Sequence, residues 1–135
     1  MKIPSPLDVR LYALLDSAQT GVRDLAFLCD EVVAGGANLL QLRDKHGSTR
    51  DMIAHARLLV ARAASRVPVL VNDRVDVALA SDADGVHLGQ DDMDVRDARR
   101  LLGPQAIIGL TIKTPEQARA APLDHLDYVC VGGVF

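Results

Sequence analysis

Polar and ionisable residues follow three short apolar runs of this sequence. The first set is Gln41-Leu42-Arg43-Asp44-Lys45, the second is Asn72-Asp73-Arg74, and the third is His87-Leu88-Gly89-Gln90-Asp91-Asp92. If the apolar runs are parallel strands, their carboxyl ends share one edge of the sheet, and these side chains meet there. Basic groups bind phosphate oxygens, and carboxylates bind hard metal ions. The pattern therefore predicts a site for a phosphate group together with a metal ion.

The side chains of the first set alternate between the two faces of a strand. The two-residue period sends Gln41, Arg43 and Lys45 to one side, whereas Leu42 faces the surrounding helices. Arginine binds phosphate oxygens through two parallel hydrogen bonds and lysine supplies a mobile charge, so the two cations suit a pyrophosphate. The spacing equally allows Arg43 to pair with Asp44 at the surface.

Two carboxylates occupy corresponding points of successive units. Asp73 follows the third apolar run and Asp92 follows the fourth. By itself, Asp73 could simply cap the next helix. Because neighbouring parallel strands are only about 4.8 Å apart, the two carboxylates could instead share Mg²⁺, which binds one or two carboxylates together with phosphate oxygens. Asp91 and Asp94 compete with Asp92 for this role and for the helix cap, and the sequence leaves that choice open.

Three further polar residues are candidates for the same site. His87 lies inside an apolar run, where a hydrogen-bonded histidine of the interior is commoner than an acid, a base or a metal ligand. Thr111 could donate its hydroxyl to a phosphate or bond to the local backbone, and Lys113 adds a possible cation. The sequence contains neither a nucleophile elbow nor a phosphate-binding glycine-rich loop, so we expect no catalytic nucleophile from the protein.

Six strand-like runs alternate with helical patterns along the chain. The strands are predicted at Leu11–Leu15, Leu39–Arg43, Val69–Asn72, Gly85–Leu88, Ala106–Leu110 and Tyr128–Val131. Between them, apolar residues recur at three- and four-residue spacings, as on helices with one buried face. Ser48 precedes one such helix, and Thr114-Pro115-Glu116-Gln117 predicts a capping box at another. This alternation predicts six βα units and a parallel sheet.

The sheet could be open and doubly wound or closed into a barrel. An open dinucleotide-binding sheet carries a glycine-rich turn after its first strand, but Asp16-Ser17-Ala18-Gln19-Thr20 follows the first strand here. The polar residues follow strands two to five instead, as in a barrel whose site is shared among several loops. We therefore expect an α/β fold of the (β/α)₈ TIM-barrel type.

On this interpretation, residues 1–135 form a single domain that covers about the first six βα units. A (β/α)₈ barrel usually needs about 200 residues or more, and a six-stranded piece would leave two apolar edges open. We therefore expect the sequence to be part of a longer protein that supplies the C-terminal strands.

The composition indicates a globular chain. It is 49% hydrophobic, 24% charged and only 3% aromatic, with a net charge of −3, so we expect no nucleic-acid partner. No apolar run reaches the roughly 18 residues of a membrane span, and the N-terminus lacks a signal-peptide core. We expect a cytoplasmic protein without a membrane partner. Cys29 and Cys130 lie in apolar patterns and are predicted to be reduced core residues.

Taken together, these motifs resemble the thiamine phosphate synthase family. The matching segments are Gln41–Lys45, Val71–Ala80, Ala83–Asp92, Ile107–Leu110 and Tyr128–Phe135. The resemblance implies a (β/α)₈ barrel that joins hydroxymethylpyrimidine pyrophosphate to thiazole phosphate or its carboxylate. It also implies Mg²⁺ as cofactor and thiamine phosphate and pyrophosphate as products, with the pyrophosphate leaving before the thiazole nitrogen attacks.

The resemblance also implies roles for individual residues. Asp73 and Asp92 would bind Mg²⁺. The substrate-binding residues would be Gln41, Leu42, Arg43, Asp44, Lys45, Asn72 and Thr111. This chain departs from the family pattern in the segment from Thr111 to Lys113, where many relatives have Ser and His, and at Gly133, where proline is common.

Two other functions are compatible with these motifs. A thiazole tautomerase on the same barrel would need neither Lys45 nor Asp92, so their joint presence favours the synthase. The second alternative is a partial barrel that binds a phosphate ligand without catalysis. A homo-oligomer is possible, but nothing in the sequence defines the number of subunits.

Overall fold

The described part of the chain, residues 6–21 and 23–134 of a computed structural model, alternates strands with helices. The strands are β1 Tyr12–Asp16, β2 Leu39–Arg43, β3 Val69–Asn72, β4 Gly85–Leu88, β5 Ile107–Ile112 and β6 Tyr128–Val131. The helices are α1 Ser17–Thr20, α2 Leu25–Ala34, α3 Thr49–Ala63, α4 Val75–Ser81, α5 Val95–Leu102 and α6 Pro115–Ala120, with a 3₁₀ turn at Leu123–His125. The six predicted strands are therefore confirmed to within two residues at each end.

The strands form one parallel sheet in the order β1-β2-β3-β4-β5-β6. A doubly wound sheet reverses its strand order at a switch point. No such reversal occurs among the described strands. The topology therefore agrees with the barrel type of winding predicted from the sequence.

The sheet is strongly curled. In a flat sheet, five steps of about 4.8 Å would separate β1 from β6 by roughly 24 Å. Instead, the hydroxyl oxygens of Tyr12 on β1 and Tyr128 on β6 are 2.8 Å apart across the concave face. The described strands thus form a half-barrel rather than the full eight-stranded barrel, because β1 and β6 remain its open edges.

Two apolar clusters occupy the two faces of this sheet. The larger lies between the sheet and the helices and includes Leu40, Leu42, Val86 and Ile108 from the strands. The smaller lies on the concave face and is formed by Leu39, Leu70 and Ile107, with Tyr12 and Tyr128 against it. The alternation of faces follows from the two-residue period of a strand. It directs Gln41 and Arg43 to the concave face, away from the helices.

The helix starts follow the predicted signals with one difference. Ser48 Oγ accepts a hydrogen bond from Asp51 N at 3.1 Å, and Thr114 Oγ1 accepts one from Gln117 N at 3.1 Å. The Gln117 side chain, however, accepts from Lys113 N at 2.7 Å instead of from the capping residue. The predicted capping box at Thr114 is therefore right for the Thr114 side chain and wrong for the Gln117 side chain. The Gln117 amide oxygen accepts from the N–H group of Lys113 and not from that of Thr114.

An Asn or Asp residue lies directly before each of β2, β4 and β6. Each of these residues is hydrogen-bonded to the start of the preceding strand. The side-chain oxygen of each accepts a hydrogen bond from the backbone N–H of one residue at that start. The backbone N–H of the Asn or Asp donates to the carbonyl oxygen of that same residue. The pairs are Asn38 with Leu11, Asp84 with Val69 and Asp127 with Ile108. The side-chain bonds measure 3.0, 2.8 and 2.8 Å, respectively. They set the alignment of neighbouring strands at the end of the sheet opposite the predicted site.

Replacing Asp84 with alanine in the full-length protein is expected to lower the free energy of unfolding by about 1–3 kcal/mol. The reason is that the N–H group of buried Val69 loses its acceptor. Asp84→Asn retains a carbonyl acceptor, and burial already raises the pKa of the Asp84 carboxyl, so this variant should lose much less. Urea denaturation measures both changes. Equal losses in the two variants would contradict this role.

Candidate active site

A pocket of about 670 Å³ lies on the concave face at the carboxyl ends of the strands. The sequence analysis singled out nine residues as substrate or metal ligands, and the side chains of seven of them line this pocket. The seven are Gln41, Arg43, Lys45, Asn72, Asp73, Asp92 and Thr111. The structure thus brings these seven residues to one opening, as expected for parallel strands.

The other two predicted substrate ligands, Leu42 and Asp44, have side chains outside the pocket. Leu42 is 4% exposed and belongs to the apolar cluster beneath the helices, because its strand position faces that side. The Asp44 carboxylate accepts hydrogen bonds from Gly47 N at 2.8 Å and from Ser17 Oγ at 3.2 Å. It therefore holds the loop after β2. Their role as substrate ligands stays a prediction, and the structure places the two side chains away from the other seven.

Arg43 at the end of β2 and Lys45 just after it are both paired with carboxylates at the mouth of the pocket. Arg43 donates to Asp16 Oδ2 at 2.5 Å, so the alternative pair with Asp44 is not formed. A hydrogen bond from Ala18 N lowers the pKa of the Asp16 carboxyl, and Arg43 lowers it further. The Lys45 ammonium donates to the Asp73 carboxylate. The basic and acidic sides of the pocket are thus in direct contact.

The structure distinguishes the three acidic residues that follow β4. Asp94 caps α5, because its side chain accepts a hydrogen bond from Arg96 N at 2.8 Å. Asp91 lines the pocket. Asp92 accepts from Gly89 N at 2.7 Å and lies beside Asp73. Of the three, Asp92 is therefore the partner of Asp73.

Asp73 and Asp92 form a pair of like-charged groups. Burial raises the pKa of Asp92, and the neighbouring Asp73 carboxyl raises it further. The backbone of Asp73 is in the left-handed region at φ 64°, while its N–H donates to His87 O at 2.8 Å. A backbone conformation of this kind costs free energy and is often found at functional sites.

The donor chemistry of this pair fits Mg²⁺. A divalent cation between two carboxylates removes their mutual repulsion, and Mg²⁺ completes its coordination with phosphate oxygens and waters. In residues 6–21 and 23–134, no group of three or more His, Cys, Asp or Glu side chains is arranged to hold a metal ion. The two carboxylates alone therefore suit a cation that is held jointly with a phosphate ligand.

A chain of hydrogen bonds crosses the concave face beneath the pocket. Gln41 Nε2 donates to Tyr12 Oη at 2.7 Å, and Tyr12 Oη is 2.8 Å from Tyr128 Oη. His87 Nδ1 is 2.8 Å from Tyr128 Oη, and His87 Nε2 is 2.7 Å from Thr111 Oγ1. The prediction that His87 is a hydrogen-bonded residue of the interior is confirmed by these contacts.

The titratable members of this chain are neutral at pH 7. Burial lowers the pKa of His87, although the Asp73 charge opposes this shift. Burial also raises the pKa of Tyr12 to about 12 and moves the pKa of Tyr128 upward as well. Each hydrogen bond in the chain is therefore made between uncharged groups.

Sequence reasoning missed the roles of several residues in the pocket and beneath it. Tyr12 and Tyr128 were assigned only to strands, and the signal that was available is that Tyr128 lies opposite Gly109 on the inward face of the neighbouring strand. Gln90 also has a role, since its side chain donates to Thr111 O at 2.8 Å. Cys130 is only half buried and lines the pocket, so its assignment to the core was wrong, whereas Cys29 is buried as predicted.

The helices in the described ranges are too short or too polar to cross a membrane. A curled parallel sheet with cations and paired carboxylates at the carboxyl ends of its strands defines an α/β protein of the half-barrel type. More specifically, the chain belongs to the thiamine monophosphate synthase family, whose sequence pattern matches residues 11–135.

Individual relatives agree with this family. The chain is 54% identical over 130 residues to the thiamine-phosphate synthase of Agrobacterium fabrum, covering 96% of this chain and 59% of the relative. It is 47% identical over 133 residues to that of Xanthobacter autotrophicus, covering 98% and 63%, respectively. The thiamine phosphate pyrophosphorylase structure from Pyrococcus furiosus superimposes with a TM-score of 0.82 at 35% identity, covering 94% of this chain and 61% of that one. The chain thus spans about three fifths of the length of these relatives.

Proposed function

We propose that this protein, as a complete (β/α)₈ barrel, is a thiamine phosphate synthase. It would join hydroxymethylpyrimidine pyrophosphate to thiazole phosphate or its carboxylate and release thiamine phosphate and pyrophosphate. Membership of the family and the length of the relatives support this proposal. The cytoplasmic location, the possible homo-oligomer and the absence of a nucleic-acid partner stay predictions.

One observation carries the proposal. The contact between Lys45 and Asp73 joins a basic side of the pocket to an acidic side that contains Asp92. A pyrophosphate is strongly anionic and needs cations, whereas Mg²⁺ needs carboxylate and phosphate oxygens. A single opening that offers both kinds of group suits a pyrophosphate bound together with Mg²⁺.

Substrate binding would change the partners of the basic residues. In the ligand-free protein, Lys45 neutralises Asp73 and Arg43 neutralises Asp16. A pyrophosphate in the pocket competes with both carboxylates for these cations. The Lys45 ammonium would exchange Asp73 for a phosphate oxygen, which leaves Asp73 and Asp92 available as metal ligands.

The protein would promote the reaction by binding the leaving group and holding two substrates in line. Arg43 and Lys45 would compensate the charge that develops on the departing pyrophosphate, and Lys113 lines the same pocket. Bound Mg²⁺ would supply additional charge neutralisation on the pyrophosphate oxygens. Asn72 and Gln41 would orient the pyrimidine substrate. The mechanism implied by the resemblance needs no protein nucleophile, and the sequence offers none in an activated setting.

The activity is tested by mixing the full-length protein with the two phosphorylated precursors and Mg²⁺. We expect thiamine phosphate and pyrophosphate in equal amounts, and no turnover when EDTA removes the metal. Conversion of the thiazole phosphate alone, without pyrophosphate release, would indicate the tautomerase instead. A folded full-length protein that binds the precursors but releases no product would indicate the non-catalytic module.

A further inference from the structure

We propose that His87 is a positioning residue that makes the Thr111 hydroxyl a hydrogen-bond donor to a phosphate group in the pocket. His87 links Thr111 to a hydrogen-bonded network of polar side chains that begins at Gln41. The substrate contact of Thr111 rests on the proposed function, whereas the direction of the hydrogen bonds does not.

This hydrogen-bonded network joins five strands of the half-barrel through side chains alone. Gln41 belongs to β2, Tyr12 to β1, Tyr128 to β6 and His87 to β4, and Thr111 of β5 is its last member. The four consecutive contacts measure 2.7, 2.8, 2.8 and 2.7 Å. These are ordinary distances for N–H···O and O–H···O hydrogen bonds. Because none of these contacts is long, the orientation of one proton restricts that of the next.

The Gln41 amide gives the proposed network its direction, because it is the one defined donor in a series of hydroxyl and imidazole groups that can each donate or accept. Its N–H group donates to Tyr12 Oη, so the Tyr12 proton is free to be donated to Tyr128. Tyr128 then donates to His87 Nδ1, which has to be unprotonated to accept. With Nδ1 as the acceptor, the ring carries its proton on Nε2 and donates it to Thr111 Oγ1.

Thr111 is left with its own hydroxyl proton. Thr111 Oγ1 lines the pocket and already accepts from His87, so the proton is available to a ligand. Phosphate dianions offer only acceptors at their oxygens, so they bind a donor and not a hydroxyl that presents lone pairs. The reverse direction of the chain would make Thr111 donate to His87 and would remove this contact.

The surroundings of Tyr128 are shaped to hold it in the chain. A Cβ atom at Gly109 would lie only 2.0 Å from Cζ of Tyr128, so the ring occupies space that only glycine leaves open. The His87 ring stacks on Tyr128 with centroids 5.6 Å apart, and the Tyr12 ring meets it edge-on at 5.8 Å. Both tyrosines are therefore held by packing as well as by their hydroxyl groups.

The first test measures the ¹⁵N resonances of the His87 ring in the ligand-free, full-length protein, assigned with a His87→Asn variant. We expect a proton on Nε2 and an unprotonated, hydrogen-bonded Nδ1. Tyr128→Phe should move the Nδ1 resonance toward that of an unbonded nitrogen, and Tyr12→Phe, which disconnects the Gln41 amide from the network, should let part of the His87 population carry its proton on Nδ1. A proton on Nδ1 in the wild type, or an unchanged Nδ1 resonance in Tyr128→Phe, would overturn the proposal.

The second test is a double-mutant cycle on kcat/KM, measured for each of the two phosphorylated substrates. Tyr128→Phe should lower kcat/KM roughly 2–10-fold in the wild-type background, the range for loss of one neutral hydrogen bond, and should have little effect in Thr111→Val. Additive losses would show that Tyr128 acts independently of Thr111 and would overturn the positioning role. If the full-length protein made no thiamine phosphate, the proposed function would fail while the ring resonances would still decide the present proposal.

Discussion

Replacing Asp92 with asparagine in the full-length protein is expected to lower Mg²⁺-dependent kcat/KM by about 10²–10³-fold, the usual effect of losing one preorganised electrostatic contact. Asparagine preserves the oxygen that accepts from Gly89 N, so the loop after β4 keeps its conformation. The pair formed by Asp73 and Asp92 loses one of its two carboxylates, so Mg²⁺ loses one carboxylate ligand. Steady-state kinetics over a Mg²⁺ titration measure the loss.

The same substitution should not destabilise the ligand-free protein. The pKa of Asp92 is raised by burial and by Asp73, which means that its ionised form is unfavourable in this position. A neutral amide removes that repulsion, so thermal unfolding in EDTA should occur at the wild-type temperature or above it. Mn²⁺ binding, followed by electron paramagnetic resonance, should nevertheless be weaker.

Asp91→Asn is the matched control for this prediction. It removes the same charge from the neighbouring residue, which lines the pocket, whereas the carboxyl that interacts with Asp73 is that of Asp92. Its effect on kcat/KM should be much smaller than that of Asp92→Asn. Equal losses in the two variants would point to a general effect of charge, and wild-type activity of Asp92→Asn at every Mg²⁺ concentration would eliminate Asp92 as a metal ligand.

Replacing Lys45 with methionine is expected to lower kcat/KM by about 10²-fold, because the leaving pyrophosphate loses a cation. The effect on metal binding should have the opposite sign. Without the ammonium group, Asp73 loses its cationic partner in the ligand-free protein, so Mn²⁺ should bind more tightly than to the wild type. Kinetics and Mn²⁺ titration of the same full-length sample therefore measure two opposite changes.

Two further variants separate these effects. Lys45→Arg retains the charge and should retain a larger part of the activity. Arg100→Met removes one positive charge from an exposed pair with Asp97, neither of which lines the pocket, and should change neither property appreciably. Weaker Mn²⁺ binding in Lys45→Met would contradict the exchange of Lys45 between Asp73 and the pyrophosphate.

The winding of the fold was predictable because its signals are local. Buried parallel strands are short apolar runs, and the helices between them carry one apolar face, so the sequence pattern located all six described strands. Helix starts at Ser48 and Thr114 were also predictable, since capping depends on residues within a single turn. The partner of the Gln117 side chain, the N–H group of Lys113, was not predictable, because it depends on the path of the polypeptide before the helix.

The location of the site was predictable from the same periodicity, but the pairing of its charges was not. Carboxyl ends of parallel strands must meet, so Arg43, Lys45 and Asp73 had to approach one another. Which carboxylate each cation selects depends on side-chain conformations that strand periodicity leaves undetermined. Arg43 therefore pairs with Asp16 from β1, a residue that the sequence analysis had treated only as part of a loop.

The sequence by itself determined where strands and helices follow one another along the polypeptide, which faces the strand side chains take and at which edge of the sheet the polar residues lie. These features depend on periods of two and of 3.6 residues. Only the tertiary structure decided which residues touch across the concave face. Tyr12 and Tyr128 are 116 residues apart in the chain, and their hydroxyl groups meet because the sheet curls. Contacts of this kind depend on curvature that is summed over six strands, and no local pattern specifies it.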